Sequence, residues 1–297
     1  MNQRSRLVAI DWGTSSLRGA LIDMADGRVL EEQSHARGIL TVPPGGFREV
    51  FDDLFGAWMR ENGAPCLISG MAGSRQGWVE APYCPCPAGL AEVRAKVREI
   101  EPGPIAIVPG LSDEHSGVPD VMRGEEVQIF GAMALSGLQD GLFVLPGTHN
   151  KWARVKDGRV AGFRTYMTGE FYAILSQHSI LARTIDTSAA FDEAAFLEGV
   201  SRAENGEGLL HNAFGARTLS LFERMAAGEL ASYLSGLLIG EELRSQSVRA
   251  NGEVVLIGSP NLTQRYALAL RTLGTPSRTL GSEATWAGLH ALSSSSD

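Results

Sequence analysis

Two short segments carry the residue types that grip a polyphosphate. Asp11-Trp12-Gly13-Thr14-Ser15-Ser16 follows the apolar run Leu7-Val8-Ala9-Ile10, and Pro146-Gly147-Thr148-His149-Asn150-Lys151 follows Leu142-Phe143-Val144-Leu145. A glycine turn between strands lets backbone N–H groups approach an anion with no Cβ in the way, and adjacent hydroxyls add donors. Gly13, Thr14, Ser15 and Ser16 in the first turn, and Gly147, Thr148 and His149 in the second, are therefore read as phosphate contacts. Lys151, one of three lysines in the chain, would add a point charge, with a solvated hairpin lysine as the plain alternative. Asp11, a carboxylate at the end of a buried strand, suits Mg²⁺ held through water, and a turn-initiating aspartate is its plain alternative. His149 lies inside the loop and is read as a phosphate donor rather than a general base. No GxxxxGK[ST] loop or GxGxxG fingerprint competes with this reading. Cys84-Pro85-Cys86 has only Cys66 as a further thiol and no CxxC, so it reads as a proline-rich loop rather than a metal site.

The elements that position these loops repeat. Leu7–Ile10, the alternating Leu17–Asp23 and a strand opening at Arg28-Val29-Leu30 form an antiparallel meander, turned at Asp26-Gly27. Phe47, Val50, Phe51, Leu54, Phe55, Trp58 and Met59 recur at helical spacing, so a helix follows and ends near Asn62-Gly63. Cys66–Ile68 and Ile105–Val108 read as buried strands, and 90–100 and 125–135 as helices, giving the order βββαβαβα. The pattern restarts at residue 142. Gly13-Thr14 precedes Asp26-Gly27-Arg28-Val29 by 13 residues, and Gly147-Thr148 precedes Asp157-Gly158-Arg159-Val160 by 10. Helices at 170–182 and 218–246, the strand Val254–Ile257, Gly258-Ser259 and a helix from Gln264 to Leu273 complete a second copy. The expectation is an α/β chain of two similar ribonuclease H-like lobes, 1–140 and 141–297, with the last helix returning to the first.

Composition narrows the partners. The 297 residues carry 26 Lys+Arg against 34 Asp+Glu, a net charge of −8, with no basic excess in either half, which argues against nucleic acid and anionic membranes. No run of 18 apolar residues spans a membrane, and the four apolar residues before Asp11 do not make a signal peptide, so a cytoplasmic protein is expected, with a homodimer left open. Glycine is in excess: 35 residues, about 12% against an average near 7%.

Ile10-Asp11-Trp12-Gly13-Thr14-Ser15-Ser16-Leu17-Arg18 resembles the first phosphate motif of the sugar kinase, Hsp70 and actin superfamily, and Gly147-Thr148 resembles its second. Val254–Ser259 resembles the adenosine segment of that superfamily, which implies ATP contacts at Gly258 and Ser259 and a fold closing around a nucleotide cleft. More narrowly, Gly70-Met71-Ala72-Gly73-Ser74, Val121-Met122-Arg123-Gly124-Glu125-Glu126, Pro146–Trp152, Met167-Thr168-Gly169-Glu170 and Leu234–Gly240 resemble the 2-dehydro-3-deoxygalactonokinases. The resemblance implies ATP- and Mg²⁺-dependent phosphorylation of a keto-deoxy sugar acid at its 6-hydroxyl, in galactonate catabolism. A kinase of another sugar acid or amino sugar is the first alternative, and a nucleotide-gated binding protein of the actin or Hsp70 kind the second.

Related kinases place a catalytic aspartate at the start of a helix about 20 residues before the second phosphate turn. Glu125, 22 residues before Gly147, takes that place as the expected base, with Glu126 as a metal or positioning carboxylate and Asp120 as the alternative base. The plain reading of the two glutamates is helix-start electrostatics. A substrate carboxylate calls for a planar guanidinium fork. Arg75 is the first candidate, and Arg123 and Arg164 are its rivals. Ser74 and Thr168 are expected to meet sugar hydroxyls.

Overall fold

Leu7 to Ile10 can be a continuous apolar run because the strand they form has neighbours on both edges and helices over its faces; all four residues are buried. In the computed structural model, which describes residues 5–100, 103–246, 248 and 252–294, β1 (Arg6–Trp12), β2 (Leu17–Asp23) and β3 (Val29–His35) form the expected meander. α1 (Phe47–Asn62) follows, stopped by Gly63 in the left-handed region, and β4 (Cys66–Gly70) runs parallel to β1. Phe51 and Phe55 of α1 pack with Trp12, Ile10 and Ile68 in one core.

Beyond β4 the chain departs from expectation. The periodicity at 90–100 breaks into a five-residue helix, α2 (Leu90–Arg94), and an edge strand, β6 (Arg98–Ile100), which pairs antiparallel with β7 (Ile105–Ile107). Covering that edge satisfies backbone groups that a longer helix would leave open. A separate small sheet, unforeseen in sequence, joins β5 (Cys84–Pro85), β8 (Leu111–Asp113) and β9 (Asp120–Met122) ahead of α3 (Glu125–Ser136). The main sheet has the order β3-β2-β1-β4-β7-β6.

The second sheet is built from β10 (Gly141–Leu145), β11 (Asn150–Lys156), β12 (Arg159–Tyr166), β13 (Val254–Ile257) and β14 (Ser277–Leu280), in the order β12-β11-β10-β13-β14. Numbered within its own copy, each sheet begins 3-2-1-4, so the repeat read from sequence recurs in the topology of the first four strands, and the sheets differ beyond them. Asp157 and Gly158 both have positive φ and turn the β11–β12 hairpin in two residues. Between β12 and β13 the described residues form four α-helices: α4 (Thr168–His178), α5 (Glu193–Ala203), α6 (Leu209–Leu221) and α7 (Ala227–Ser245). The single helix expected over 218–246 is divided between α6 and α7, and α5 was not foreseen. α8 (Pro260–Thr272) starts four residues earlier than expected because Ser259-Pro260 opens it, and α9 (Glu283–Ser293) closes the chain.

The chain divides into two compact units: 1–140 with 153–163 and 280–297, and 141–152 with 164–279. In the first, α3 and α9 cross so closely that a Cβ on Gly131 would lie 1.7 Å from the Ala284 carbonyl oxygen. This contact fixes the helix that begins with Glu125.

Candidate functional site

In the first unit the β1–β2 turn places Thr14, Ser15 and Ser16 exposed at its tip, and the Gly13 N–H closes on the Ser16 carbonyl at 2.9 Å. The antiparallel register sets Asp11 opposite Arg18, and Arg18 Nη2 donates to Asp11 Oδ2 at 2.5 Å. The Arg18 guanidinium also lies over the Trp286 ring of α9. Arg18 was missed in the sequence, although pairing Trp12 with Leu17 puts it across from Asp11.

Gly70 ends β4 with φ 91°, where a Cβ would lie 2.8 Å from the Trp12 carbonyl oxygen and 3.3 Å from Asp11 Oδ1. Gly124, with φ 106°, backs onto Gly70 Cα, so the start of α3 is brought to the end of β1 through two glycines. There Glu125 Oε2 accepts from Arg123 N at 2.9 Å, and Glu126 Oε2 accepts from Gly124 N at 2.7 Å. Both glutamates thus cap the helix start. They differ in solvent: Glu125 is half-buried, whereas Glu126 is 0% exposed, with Oε1 unpartnered. Burial and then the Glu125 charge push the Glu126 carboxyl up to about 8.

The arginines separate. Arg75 is 88% exposed and pairs with Glu80 at 3.0 Å, the plain reading of a surface ion pair. Arg123 stacks over Tyr83 at 4.4 Å and donates from Nη2 to the Ala81 carbonyl, while its Nε and Nη1 are buried without partners. The Ser74 hydroxyl is likewise buried and unpartnered. Arg164, in the second unit, is exposed on β12.

In the second unit the β10–β11 turn exposes Thr148 and His149. The Gly147 N–H donates to Asn150 Oδ1 at 2.6 Å, so neither turn glycine offers its own N–H to a ligand. Lys151 is 7% exposed and donates from Nζ to Thr165 Oγ1 at 2.7 Å, which turns its charge toward β12 rather than the loop tip. His149 Nε2 lies 2.6 Å from Glu170 Oε2. The start of α4 docks on this loop: Glu170 N donates to the Thr148 carbonyl, and a Cβ on Gly169 would lie 2.3 Å from the Gly147 carbonyl oxygen. Gly258 borders the same loop, with a Cβ position 3.5 Å from the Pro146 carbonyl oxygen, and Ser259 is exposed at the head of α8.

Beneath the loop, buried Glu242 of α7 accepts from Trp152 Nε1 on Oε1, and from Asn150 Nδ2 (2.8 Å), Tyr266 OH (2.7 Å) and Thr168 Oγ1 on Oε2. Burial pushes this carboxyl above its ordinary value, and the four donors pull against that. Thr168 spends its hydroxyl proton on Glu242 and keeps only lone pairs for a ligand. A cavity of about 70 Å³ opens here, lined by Gly147, Asn150, Gly169, Tyr172, Arg265 and Tyr266 among others. Glu242 and Tyr266 carry no motif that marks them in sequence.

Gly13 and Gly147 themselves have no steric need to be glycine. Neither has a left-handed φ, a Cβ on Gly13 would make only ordinary contacts, and one on Gly147 would meet nothing within 4 Å. The open space beside Gly147, and the absence of any close contact at Gly13, fit a ligand that approaches the backbone.

For Mg²⁺ the fit is partial. No cluster of three or more His, Cys, Asp or Glu residues able to hold a metal occurs among the described residues. Glu126 is sealed from solvent, with Oε2 on the Gly124 N–H, which sets it back from an ion carried by nucleotide phosphates. Asp11, paired with Arg18, suits an ion carried mainly by nucleotide phosphates and water. No helix among the described residues is long and apolar enough to cross a membrane.

Comparison with known proteins adds an independent finding. A model of the 2-keto-3-deoxy-galactonokinase family matches residues 11–292. A probable 2-dehydro-3-deoxygalactonokinase of Rhizobium meliloti (strain 1021) is 41% identical over 293 residues, 95% of each chain. The 2-dehydro-3-deoxygalactonokinase of Escherichia coli (strain K12) is 32% identical over 272 residues, 91% of each. A crystal structure of a candidate 2-dehydro-3-deoxygalactonokinase from Sinorhizobium meliloti superposes with a TM-score of 0.89 at 40% identity, over 96% of this chain and 97% of that one. Component A of the Acidaminococcus fermentans (R)-2-hydroxyglutaryl-CoA dehydratase superposes at 0.52 with 10% identity, over 97% of this chain and 95% of that one, a likeness of fold alone.

Proposed function

This chain belongs to the 2-keto-3-deoxy-galactonokinase family, which makes it an ATP-dependent phosphotransferase with an alcohol acceptor, and from that premise we propose how its residues transfer phosphate to 2-dehydro-3-deoxygalactonate. Family membership over nearly the whole chain sets aside the non-enzymatic reading. The observation that carries the proposal is the pair of exposed Gly-Thr turns, at neither of which a close contact within the chain requires the glycine.

The acceptor is the terminal 6-hydroxyl. Its oxygen attacks the γ-phosphorus of ATP, the bond to the β-phosphate oxygen breaks, and the hydroxyl proton passes to a carboxylate. Such a transfer asks the protein for position and charge more than for covalent chemistry. Glu125 is the base, because its neighbour Glu126 is sealed and neutral while Glu125 retains solvent access. Backbone N–H groups and hydroxyls at Thr14–Ser16 and at Thr148–His149 hold phosphate oxygens. Asp11 is the residue that would hold Mg²⁺, through water, and the ion would supply neutralisation of phosphate charge. Gly258 and Ser259 border the nucleoside.

For the substrate carboxylate, Arg123 is better built than Arg75. Its guanidinium is held flat by Tyr83 and has two N–H groups without partners, whereas Arg75 is solvated and paired. Ser74, whose neighbour Gly73 packs against Arg123 Nη1, is a hydroxyl donor to the sugar acid, whereas Thr168, whose hydroxyl is spent on Glu242 beneath the second turn, is read with the phosphate loop rather than with the sugar.

The test is turnover with ATP, Mg²⁺ and 2-dehydro-3-deoxygalactonate, its gluconate epimer and neutral sugars, with the product examined by ³¹P–¹H NMR. Phosphorus coupled to the C6 protons is expected. Turnover confined to neutral sugars, or coupling at another carbon, overturns the proposal.

A further inference from the structure

Glu242 lies on α7, remote in sequence from every phosphate motif, yet its carboxylate collects one residue from each segment around the second turn. Oε1 is anchored in the core by the Trp152 indole, and Oε2 receives Asn150 of the turn and Thr168 of the α4 start. Asn150 in turn accepts the Gly147 N–H at 2.6 Å, so the chain of bonds runs from Glu242 through Asn150 to the turn glycine. A carboxylate buried among donors tolerates no substitute that donates in return. Tyr266 adds a third donor to Oε2 and accepts from Asn150, closing the network.

We propose that Glu242 is a positioning residue for phosphoryl transfer: it fixes the Pro146–Asn150 turn and the start of α4 as one rigid phosphate-holding surface, acting through Asn150. This rests on the reading of that turn as a phosphate loop. The carboxylate touches no substrate, so its loss should weaken ATP binding without altering the proton transfer or the grip on the sugar acid.

The experiment compares Glu242→Gln, Asn150→Ala, the double variant and Trp152→Phe, by steady-state kinetics and by calorimetric titration with a non-hydrolysable ATP analogue. Gln keeps the shape but turns an NH₂ toward donors. The KM for ATP is expected to rise about tenfold in Glu242→Gln, with the KM for the sugar acid within twofold of wild type. Asn150→Ala should give a similar rise, and the double variant no more than Asn150→Ala alone, as required of residues acting in series. Trp152→Phe, which removes only the core anchor, should lower Tm while leaving the KM for ATP within twofold. Equal rises in both KM values, additive effects in the double variant, or unchanged ATP affinity in Glu242→Gln would overturn the inference. Should Glu242→Gln fail to fold, Asn150→Ala decides alone: unchanged ATP affinity there overturns it. Absence of ATP binding in the wild-type protein would instead overturn the reading of the loop.

Discussion

The two β-turns that open the two copies of the repeat engage their glycine N–H groups by different means. In the first, the Gly13 N–H closes on the backbone carbonyl of Ser16, three residues away, and the turn is braced by further backbone bonds, Ile39 N to the Gly13 carbonyl and Leu40 N to the Thr14 carbonyl. In the second, the same bond is made to the side chain of Asn150, which is held by Glu242 from a helix 92 residues further on. Their surroundings differ as well. The first turn leaves β1 beside Asp11 and, through Gly70 and Gly124, the acid pair at the start of α3; the second has a proline, Pro146, where the first has Trp12, and borders α4 and Gly258. A duplicated scaffold has thus divided its work. On the proposed reading, the first copy carries the carboxylates assigned to the proton and to Mg²⁺, and the second a phosphate surface held by side chains.

Four variants probe that division, from the greatest effect to the least. Glu125→Gln should lower kcat by about 10²-fold or more, on the scale of general-base contributions, with ATP affinity little changed; near-wild-type turnover would move the base elsewhere. Gly147→Ala should raise the KM for ATP about tenfold with Tm unmoved, since its Cβ meets no atom of the chain. Gly169→Ala should lower Tm as well as ATP affinity, losing about 1–3 kcal/mol of stability, because its Cβ would overlap the Gly147 carbonyl of the same turn. If both variants changed Tm alike, the turn glycine would be structural and the division would fail. Arg75→Ala should change stability by about 0.5 kcal/mol or less, as exposed ion pairs do, and leave the KM for the sugar acid unchanged. A selective rise in that KM would return the carboxylate site to Arg75.

A pH series tests the acid pair. Glu126 has an ordinary value of 4.5 and stands at about 8 in the folded chain. Between those values the folded protein keeps a proton that the unfolded chain has released, so stability falls as pH rises from 4.5 to about 8 and levels off beyond. Replacement by Gln removes this slope. The Tm of Glu126→Gln relative to wild type should therefore grow from pH 5 to pH 8, and a constant difference would show that Glu126 is ionised in the fold.

Much of this was legible beforehand where chemistry and structure were local. The Gly-Thr turns, the Asp-Gly hairpins and the helix of 47–62 depend on residues within one or two turns of chain, and each lies where its sequence pattern put it. The edge strand β6 and the small sheet of β5, β8 and β9 were not legible, because pairing partners distant in sequence decided them over weak local preference. Arg18 lay within reach of a careful register argument. Glu242 did not: an acidic residue in a helix looks alike whether it faces solvent or a core.

The sequence by itself determined the repeat, the two Gly-Thr turns and the family, because turn chemistry and motif order are written in neighbouring residues. Only the tertiary structure decided that Arg75 is solvated while Arg123 is held, that Glu126 is neutral beside Glu125, and that the second turn is governed from α7. Those distinctions come from burial and from partners brought together by packing. Desolvation and hydrogen-bond satisfaction act at distances of a few ångströms in space, and for these residues spatial neighbours are not sequence neighbours.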